Sequence, residues 1–491
     1  MSKLTSIVLE GYKSFGAKTE IPIAPLTVFT GLNNSGKTIA INSLLTLKQS
    51  YENMNLRNSL LLNGKLVSNG EYSGTLHFYS DLGKGKCITF ENTFSIDRTV
   101  STTDFSSEDE IHSFDLLSEI FEDVANIVKI NVLNKVTIKS DEDLYNKIEN
   151  QYIKLTAYYE NGKEHNTTIE ISNRDEDGYI VLLTNFFYNT GTVKPINVDL
   201  MCSSCYFNNA FLSDAYIEIV KPDWVEKNVV MYRLHNIFKA ITLLYNGIKY
   251  LSPYRVVNNK IEYYEDIGID VGINGEYTFE IIKYFGDKKS KLFFVPPNSN
   301  YDSTPSLSYA INEWLDNLGM NEYDTSVCIR NGDFDDFNVN NVGNGVKQVL
   351  PILVKGLLLN ENETLILEQP ETFLHPKAQL ALADFLIEMI KRGKRVIVET
   401  HSDHIINRLV RRVSEDDAER FITDKVKILF FENKKYEDGK YTTVVEYKIN
   451  PIKGFVGVSE DFFSQYSKEI SDIFDIALEN IKRNGKENKE N

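Results

Sequence analysis

"TVFTGLNNSGKTIAINSLL", residues 27–45, decides the fold of this chain. It opens with β-branched and aromatic residues, as strands do. It leads into "KTIAINSLLTLKQSYENM", residues 37–54, which reads as a helix. Between them "GLNNSGKT", residues 31–38, fits the spacing GxxxxGK[ST]. In such a loop the backbone N–H groups turn inward around an anion, and glycines supply the backbone angles this needs. The helix that follows adds the positive end of its dipole. Gly31, Asn33, Asn34, Ser35 and Gly36 are therefore expected to cradle phosphates, Lys37 to reach the terminal phosphates, and the Thr38 hydroxyl to meet Mg²⁺. The competing reading, an ordinary strand-to-helix turn, explains the glycines but not the Lys–Thr pair.

Two further stretches supply matching chemistry. "TLILEQPETFLHP" reads as a buried strand ending in Glu368, where a carboxylate can hold the hydration shell of Mg²⁺. "VIVETHSDH" is another buried strand, ending in Thr400 and His401. A lone histidine on an apolar strand is usually a core residue. His401, however, stands at a strand's C-terminal end, where ligands bind in open α/β sheets, and from there it can touch a γ-phosphate. In "NVGNGVKQVLPILVKGLL" the residues Gly343, Gly345 and Gln348 precede a strongly apolar helix, a weak signal alone.

The rest of the chain frames these motifs. "LTSIVLEGY", "LTVFTG", "TLHFYS" and "CITFENTFSID" read as strands of a first lobe. Residues 101–245 change character: acidic stretches such as "SSEDEIHSFD" interrupt amphipathic segments, with no sustained heptad. From 246 onward "SYAINEWLDNLG", "AQLALADFLIEMIKRG" and "DHIINRLVRRV" read as helices. They alternate with the buried strands "ETLILEQPE" and "RVIVETHS", the pattern of a parallel sheet covered by helices. The expected division is 1–100, 101–245, 246–470 and a short end, 471–491, whose "KRNGKENKEN" is polar enough to be disordered.

Bulk properties narrow the classes. The 491 residues include 53 basic and 70 acidic side chains, for a net charge of −17. Such a field argues against a protein coated in phosphate contacts, though not against a local basic track. Lys288, Lys289 and Lys291, or Lys391, Arg392, Lys394 and Arg395, could form one; solvated faces are the plainer reading. No run approaches the ~18 apolar residues of a membrane span, and the N-terminus lacks a signal-peptide core, so a cytoplasmic protein without a membrane partner is expected. "MCSSC" offers a lone CxxC with no second pair to close a zinc site. The aromatics Tyr152, Tyr158, Tyr159, Phe186, Phe187 and Tyr188 could stack bases or simply fill a small core. "NKKY" at Asn433 lacks the carboxylate of the guanine-reading NKxD.

Taken in order, glycine loop, long insertion, glycine turn, acidic strand, "LHP" and "THS" resemble ABC-type ATPase heads of the SMC, RecF and OLD kind. More closely, "GYKSF", "LLLNGKLV", "YLSPYR", "NEWLDNLG", "GNGVKQVLPIL", "LEQPETFLHPKAQ" and "ETHSDHIINRL" resemble a group of bacterial predicted ATPases. That group ends in a short domain of unknown function, to which "GFVGVSEDFF" is similar. The resemblance covers 1–100 and roughly 245–470 and is weakest over 101–245. It implies an α/β fold: a P-loop ABC-type ATPase head with a mixed α/β lobe and a largely helical insertion.

The cofactors it implies are ATP and Mg²⁺, the metal at Thr38 and Glu368, with a catalytic group of Glu368, Gln369, Glu371 and His401. It further implies a head-to-tail dimer, or a higher homo-oligomer, in which Gly343, Gly345 and Gln348 of one copy face the glycine loop of another. The glutamine loop of such heads has no clear counterpart; Gln49 is a candidate, though a plain helix residue is the simpler reading.

One position departs from the class pattern. Where the wider class carries a glutamate that polarises the attacking water, this chain has Gln369. An amide can orient water but is a poor proton acceptor. Slow hydrolysis and a long-lived ATP state are therefore expected, with Glu371 as a possible substitute. Members of the lineage stand beside effectors in Septu-type and retron-associated phage defence, so the resemblance implies a switch acting on a separately encoded nuclease or other effector. The tail after "THSDH" is too short for the nuclease domain of OLD-type heads. Two alternatives stand: a repair head that binds nucleic acid directly, like RecF, and an ATP-loaded scaffold with little catalysis.

Overall fold

The computed structural model describes residues 2–52, 60–70, 87–96, 127–139, 147–160, 167–173, 179–187, 195–202, 218–221, 241–256, 270–299, 303–320, 343–416, 422–436, 439–450 and 454–456. Two sheets organise them. The first contains β1 (Ser2–Glu10), β2 (Thr19–Pro22), β4 (Cys87–Ile96), β5 (Ile127–Lys139), β6 (Lys147–Tyr159), β7 (Thr167–Asn173), β8 (Tyr179–Phe187), β9 (Pro195–Cys202) and β10 (Glu218–Lys221). Its order is β10-β9-β8-β7-β6-β5-β4-β1-β2, and every neighbouring pair is antiparallel.

The second sheet joins distant parts of the chain. It comprises β3 (Leu26–Gly31), β11 (Ile248–Leu251), β12 (Thr364–Glu368), β13 (Arg395–Glu399), β14 (Val426–Tyr436), β15 (Gly439–Asn450) and β16 (Gly454–Val456), in the order β11-β12-β13-β3-β14-β15-β16. From β11 to β14 the strands are parallel; β15 and β16 add antiparallel pairs. All residues of β12 and β13 are buried, as expected where a parallel sheet is covered on both faces. Period-two alternation then assigns each strand to two cores at once. Phe29, Ile366, Ile397 and Leu429 join the core beneath the first sheet. Val28, Leu365, Leu367, Val396 and Val398 face the helical side.

That helical side is built from α2 (Thr278–Phe285), α3 (Leu307–Asn317), α4 (Asn344–Leu358), α5 (Pro376–Lys391) and α6 (Asp403–Ser414); α1 (Lys37–Glu52) packs on the other face. Their starts follow from local chemistry. Ser306 and Ser402 cap α3 and α6 by accepting from the backbone N–H groups of Tyr309 and Ile405. Pro376 opens α5, where its missing N–H costs nothing. Among the described residues no helix is long and apolar enough to cross a membrane.

Two expectations are corrected. The insertion, read as largely helical, is strand-rich over its described residues: β5 to β10 extend the first sheet from β4 without a break. The reason is visible in "KIENQYIKLTAYY" and "TTIEISN", which alternate polar and apolar residues and are rich in β-branched and aromatic side chains. Of the second basic cluster, Lys394 and Arg395 are buried, so they supply neither a solvated face nor a basic track. Lys394 Nζ donates to the carbonyls of Leu292, Gly356 and Leu357, and Arg395 Nη2 to that of Leu4. "TLHFYS", Cys205, Tyr188, residues 457–491 and most of "GFVGVSEDFF" lie outside the described residues.

Candidate active site

The site lies at the C-terminal edge of the parallel strands. β3 runs into the glycine loop, β13 stands beside it, and β12 is next, with Glu368 and Glu399 paired in register. The loop takes left-handed backbone angles at Gly31, Asn34 and Gly36 (φ 138°, 57° and 104°). Two positions admit only glycine. A Cβ on Gly31 would fall 2.2 Å from the Phe431 carbonyl oxygen, and one on Gly36 would fall 2.6 Å from Thr442 Oγ1.

The β14–β15 hairpin braces the loop from behind. Thr442 Oγ1 donates to the Ser35 carbonyl at 3.0 Å, and Asn433 Nδ2 to that of Asn34 at 2.8 Å. Lys37 is buried in the loop, its Nζ on the carbonyls of Gly31 (3.0 Å) and Leu32 (2.7 Å). Burial lowers the Lys37 pKa, and the Glu399 carboxylate partly restores it.

The two strand-end carboxylates behave differently. Glu399 Oε1 and Oε2 accept from Thr38 Oγ1 at 2.8 and 2.9 Å. Glu368 turns the other way: its Oε1 accepts from the Tyr250 hydroxyl at 2.8 Å, and its backbone carbonyl from Arg255 Nη2 at 2.6 Å. Burial and the neighbouring Glu399 push the Glu368 carboxyl up to about 7, against the Tyr250 bond and Arg255. Burial likewise raises Glu399, opposed by Thr38 and Lys37. On the Tyr250 side a cleft of about 430 Å³ opens, lined by Asn42, Lys65, Ser68, Ser252 and Asn274 as well as Glu368.

After β12 the chain makes a strained turn. Gln369 and Phe373 have φ of 44° and 63°, and Gln369 N–H donates to the Glu399 carbonyl. The Gln369 side chain is exposed. Glu371 folds back toward the site: its Oε1 accepts from the His401 backbone N–H at 2.8 Å, while Oε2 is buried with no hydrogen-bond partner among the described residues. Burial and Lys37 lower the His401 pKa, favouring the neutral ring at neutral pH. Arg255, 4% exposed, finds no hydrogen-bond partner for Nε and Nη1 among the described residues.

Lys37, Thr38, Glu368, Gln369, Glu371 and His401 thus converge on one edge. Gly343, Gly345 and Gln348 form the start of α4 a step away: Gln348 Nε2 donates to the Arg255 carbonyl, and a Cβ on Gly345 would lie 3.2 Å from that of Phe373. Gln49 has a structural role, exchanging hydrogen bonds with the backbones of Leu61, Leu66 and Val67. Reading the sequence missed Glu399, Tyr250, Arg255, Asn433 and Thr442. For Glu399 the signal was present, a carboxylate closing a buried strand just as Glu368 does. The hairpin had one too, "EDGK" between alternating runs.

No three His, Cys, Asp or Glu side chains among the described residues gather into a site that would hold a metal alone. Thr38, Glu399 and Glu368 nevertheless fit Mg²⁺ brought by a nucleotide. They are hard oxygen donors, and such a cation needs only one or two carboxylates beside phosphates and water.

Residues 2–406 match the family described as AAA ATPase domain, and the chain belongs to that family. It is an ATP-binding ATPase. Similar solved structures include an SMC head bound to the C-terminal winged-helix domain of ScpA, with 12% identity, covering 92% of this chain and 99% of that one at a TM-score of 0.38. The SMC head domain from Thermotoga maritima has 12% identity, coverage of 90% and 99%, and a TM-score of 0.31. An SMC head with extended coiled coil bound to the ScpA C-terminal domain, derived from Pyrococcus furiosus, has 12% identity, coverage of 91% and 97%, and a TM-score of 0.38. No curated protein matches the chain.

Proposed function

We propose that this ATPase hydrolyses ATP slowly, with Mg²⁺, and works as a nucleotide-gated switch. The observation that carries this reading is the pairing at the end of β12. An amide, Gln369, fills the position after Glu368, and Glu371, two residues on, has a buried oxygen with no hydrogen-bond partner among the described residues. The loop N–H groups and Lys37 bind and orient the phosphates. Phosphoryl transfer has a loose transition state, so this positioning supports some rate without a strong base. Gln369 can hold a water by hydrogen bonds, and Glu371 Oε2 can receive its proton while Oε1 keeps His401 in place. Thr38 and a strand-end carboxylate would hold Mg²⁺, which when bound neutralises charge on the phosphate oxygens.

Single-turnover hydrolysis tests the reading. Gln369→Glu is expected to accelerate the step by at least about tenfold, and Glu371→Gln to slow it by about 10²-fold or more. Wild-type turnover of several ATP per second without a partner would refute a slow switch.

Two copies arranged head to tail, the start of α4 of each facing the loop of the other, would complete each site, because a helix N-terminus suits a γ-phosphate. The sequence resemblance supports a separately encoded nuclease or other effector in antiphage defence as the switch's output. Burial of Lys394 and Arg395 weakens the alternative of a basic nucleic-acid track at that cluster. The test is a tagged pull-down from the native host with ATP and Mg²⁺. A stoichiometric effector lost in Lys37→Ala supports the gated output, and a partner-free preparation counts against it.

A further inference from the structure

Among the described residues Thr38 has one side-chain hydrogen-bond partner, and it is not the carboxylate that the motif order points to. Glu399 is 2% exposed at the end of β13, beside the loop strand, with both its oxygens on the Thr38 hydroxyl. Glu368 lies one strand further from the loop and is held by Tyr250.

Distances bear on what this means. Mg²⁺ binds six oxygens at about 2.0–2.1 Å in an octahedron, so neighbouring ligands stand about 2.8–3.0 Å apart. The Glu399 oxygens stand 2.8 and 2.9 Å from Thr38 Oγ1, a separation at which one cation can be bound by both residues in adjacent positions. Hydrogen bonding alone accounts for the same distance, but it does not explain a buried carboxylate facing a phosphate cradle. There a negative charge, only partly balanced by Lys37, would oppose the nucleotide.

We propose that Glu399, together with Thr38, is the protein carboxylate that meets the divalent cation of the bound nucleotide, leaving Glu368 to act from the adjacent strand. The ligand class is a divalent cation complexed to a nucleoside di- or triphosphate. The role rests on the loop being a nucleotide site. It carries a signature in sign: Glu399 repels bare nucleotide and attracts the metal complex, so its charge favours nucleotide binding only when the cation is present.

The test measures fluorescent ADP binding to the full chain in Mg²⁺ and in EDTA, with Mn²⁺ EPR in the presence of ADP as a direct readout of the metal. In Glu399→Gln the amide can still accept from Thr38, which keeps the packing. The metal-dependent gain in ADP affinity is expected to fall about tenfold or more, while affinity in EDTA holds or rises. The Mn²⁺ signal of the bound complex should weaken in parallel.

An unchanged gain, or equal losses with and without metal, would overturn the proposal and leave Glu399 as a brace for Thr38. Should Glu399→Gln lose its thermal transition, Glu399→Asp keeps the charge with a shorter reach. A reduced gain at unchanged EDTA affinity supports the role there too, and an unchanged gain overturns it. Wild-type protein that binds no ADP in either condition would instead refute the nucleotide site itself.

Discussion

Glu280, on α2, is 6% exposed, and its Oε2 has no hydrogen-bond partner among the described residues. Burial raises its pKa above the usual carboxylate range. The folded state therefore holds this proton more tightly than the unfolded chain does. Stability is greatest below the unfolded value and declines as pH rises through it to the folded value. Glu280→Gln removes the ionisation, so it should stabilise the protein at pH 8 and change stability little at pH 4. Urea melts at both pH values check this; an equal effect at the two would show that ionisation is not the cause. Lys394 is the opposite case, a buried ammonium bonded to three carbonyls. Lys394→Met would strand those acceptors and should cost about 3 kcal/mol or more in the same melts, despite its apolar surroundings. No loss would show that the carbonyls find other donors. Neither role was legible in the sequence, because residue type marks charge while burial depends on which strands become neighbours.

The glycine loop is held between elements that enter the sheet some four hundred residues apart, β3 and the β14–β15 hairpin. Thr442→Val keeps the shape of that hairpin but removes its hydroxyl from the Ser35 carbonyl. ADP affinity should fall several-fold, matching about 1 kcal/mol, with the melting temperature nearly unchanged. Affinity equal to wild type would mean the brace is dispensable. At this scale β3, β12 and β13 were readable because strands buried on both faces are continuous apolar runs. The turn from β3 into α1 was readable because its glycine spacing stands between a strand and a helix pattern. β5 to β10 were not, because acidic links and aromatic residues disguised a period of two. Their partners, moreover, are one another and β4, a pairing no local pattern specifies.

Across the whole molecule, the start of α4 is turned toward Arg255 and the Phe373 turn, while the loop's own contacts are with β13 and the hairpin. Leu32 in the loop, Tyr254 beside Arg255, and Phe373 are all large, apolar and strongly exposed. Exposed apolar side chains near a site are what an interface would cover. If two copies meet head to tail, each ATP site takes Lys37 from one and Gly345 from the other. Lys37→Ala removes the ammonium proposed to hold phosphate, and Gly345→Asp sets a negative charge at the helix start. Each variant alone should have lost hydrolysis while keeping its thermal transition. Mixed in equal amounts and allowed to exchange, they form hybrids that hold one site with both residues intact. Activity should then return to roughly a quarter of wild type, since half the dimers are hybrid and each has one of two sites whole. Co-purification through two different tags verifies that hybrids form. Hybrids without recovered hydrolysis would mean that each copy completes its own site, and the exposed apolar edge would then need another partner.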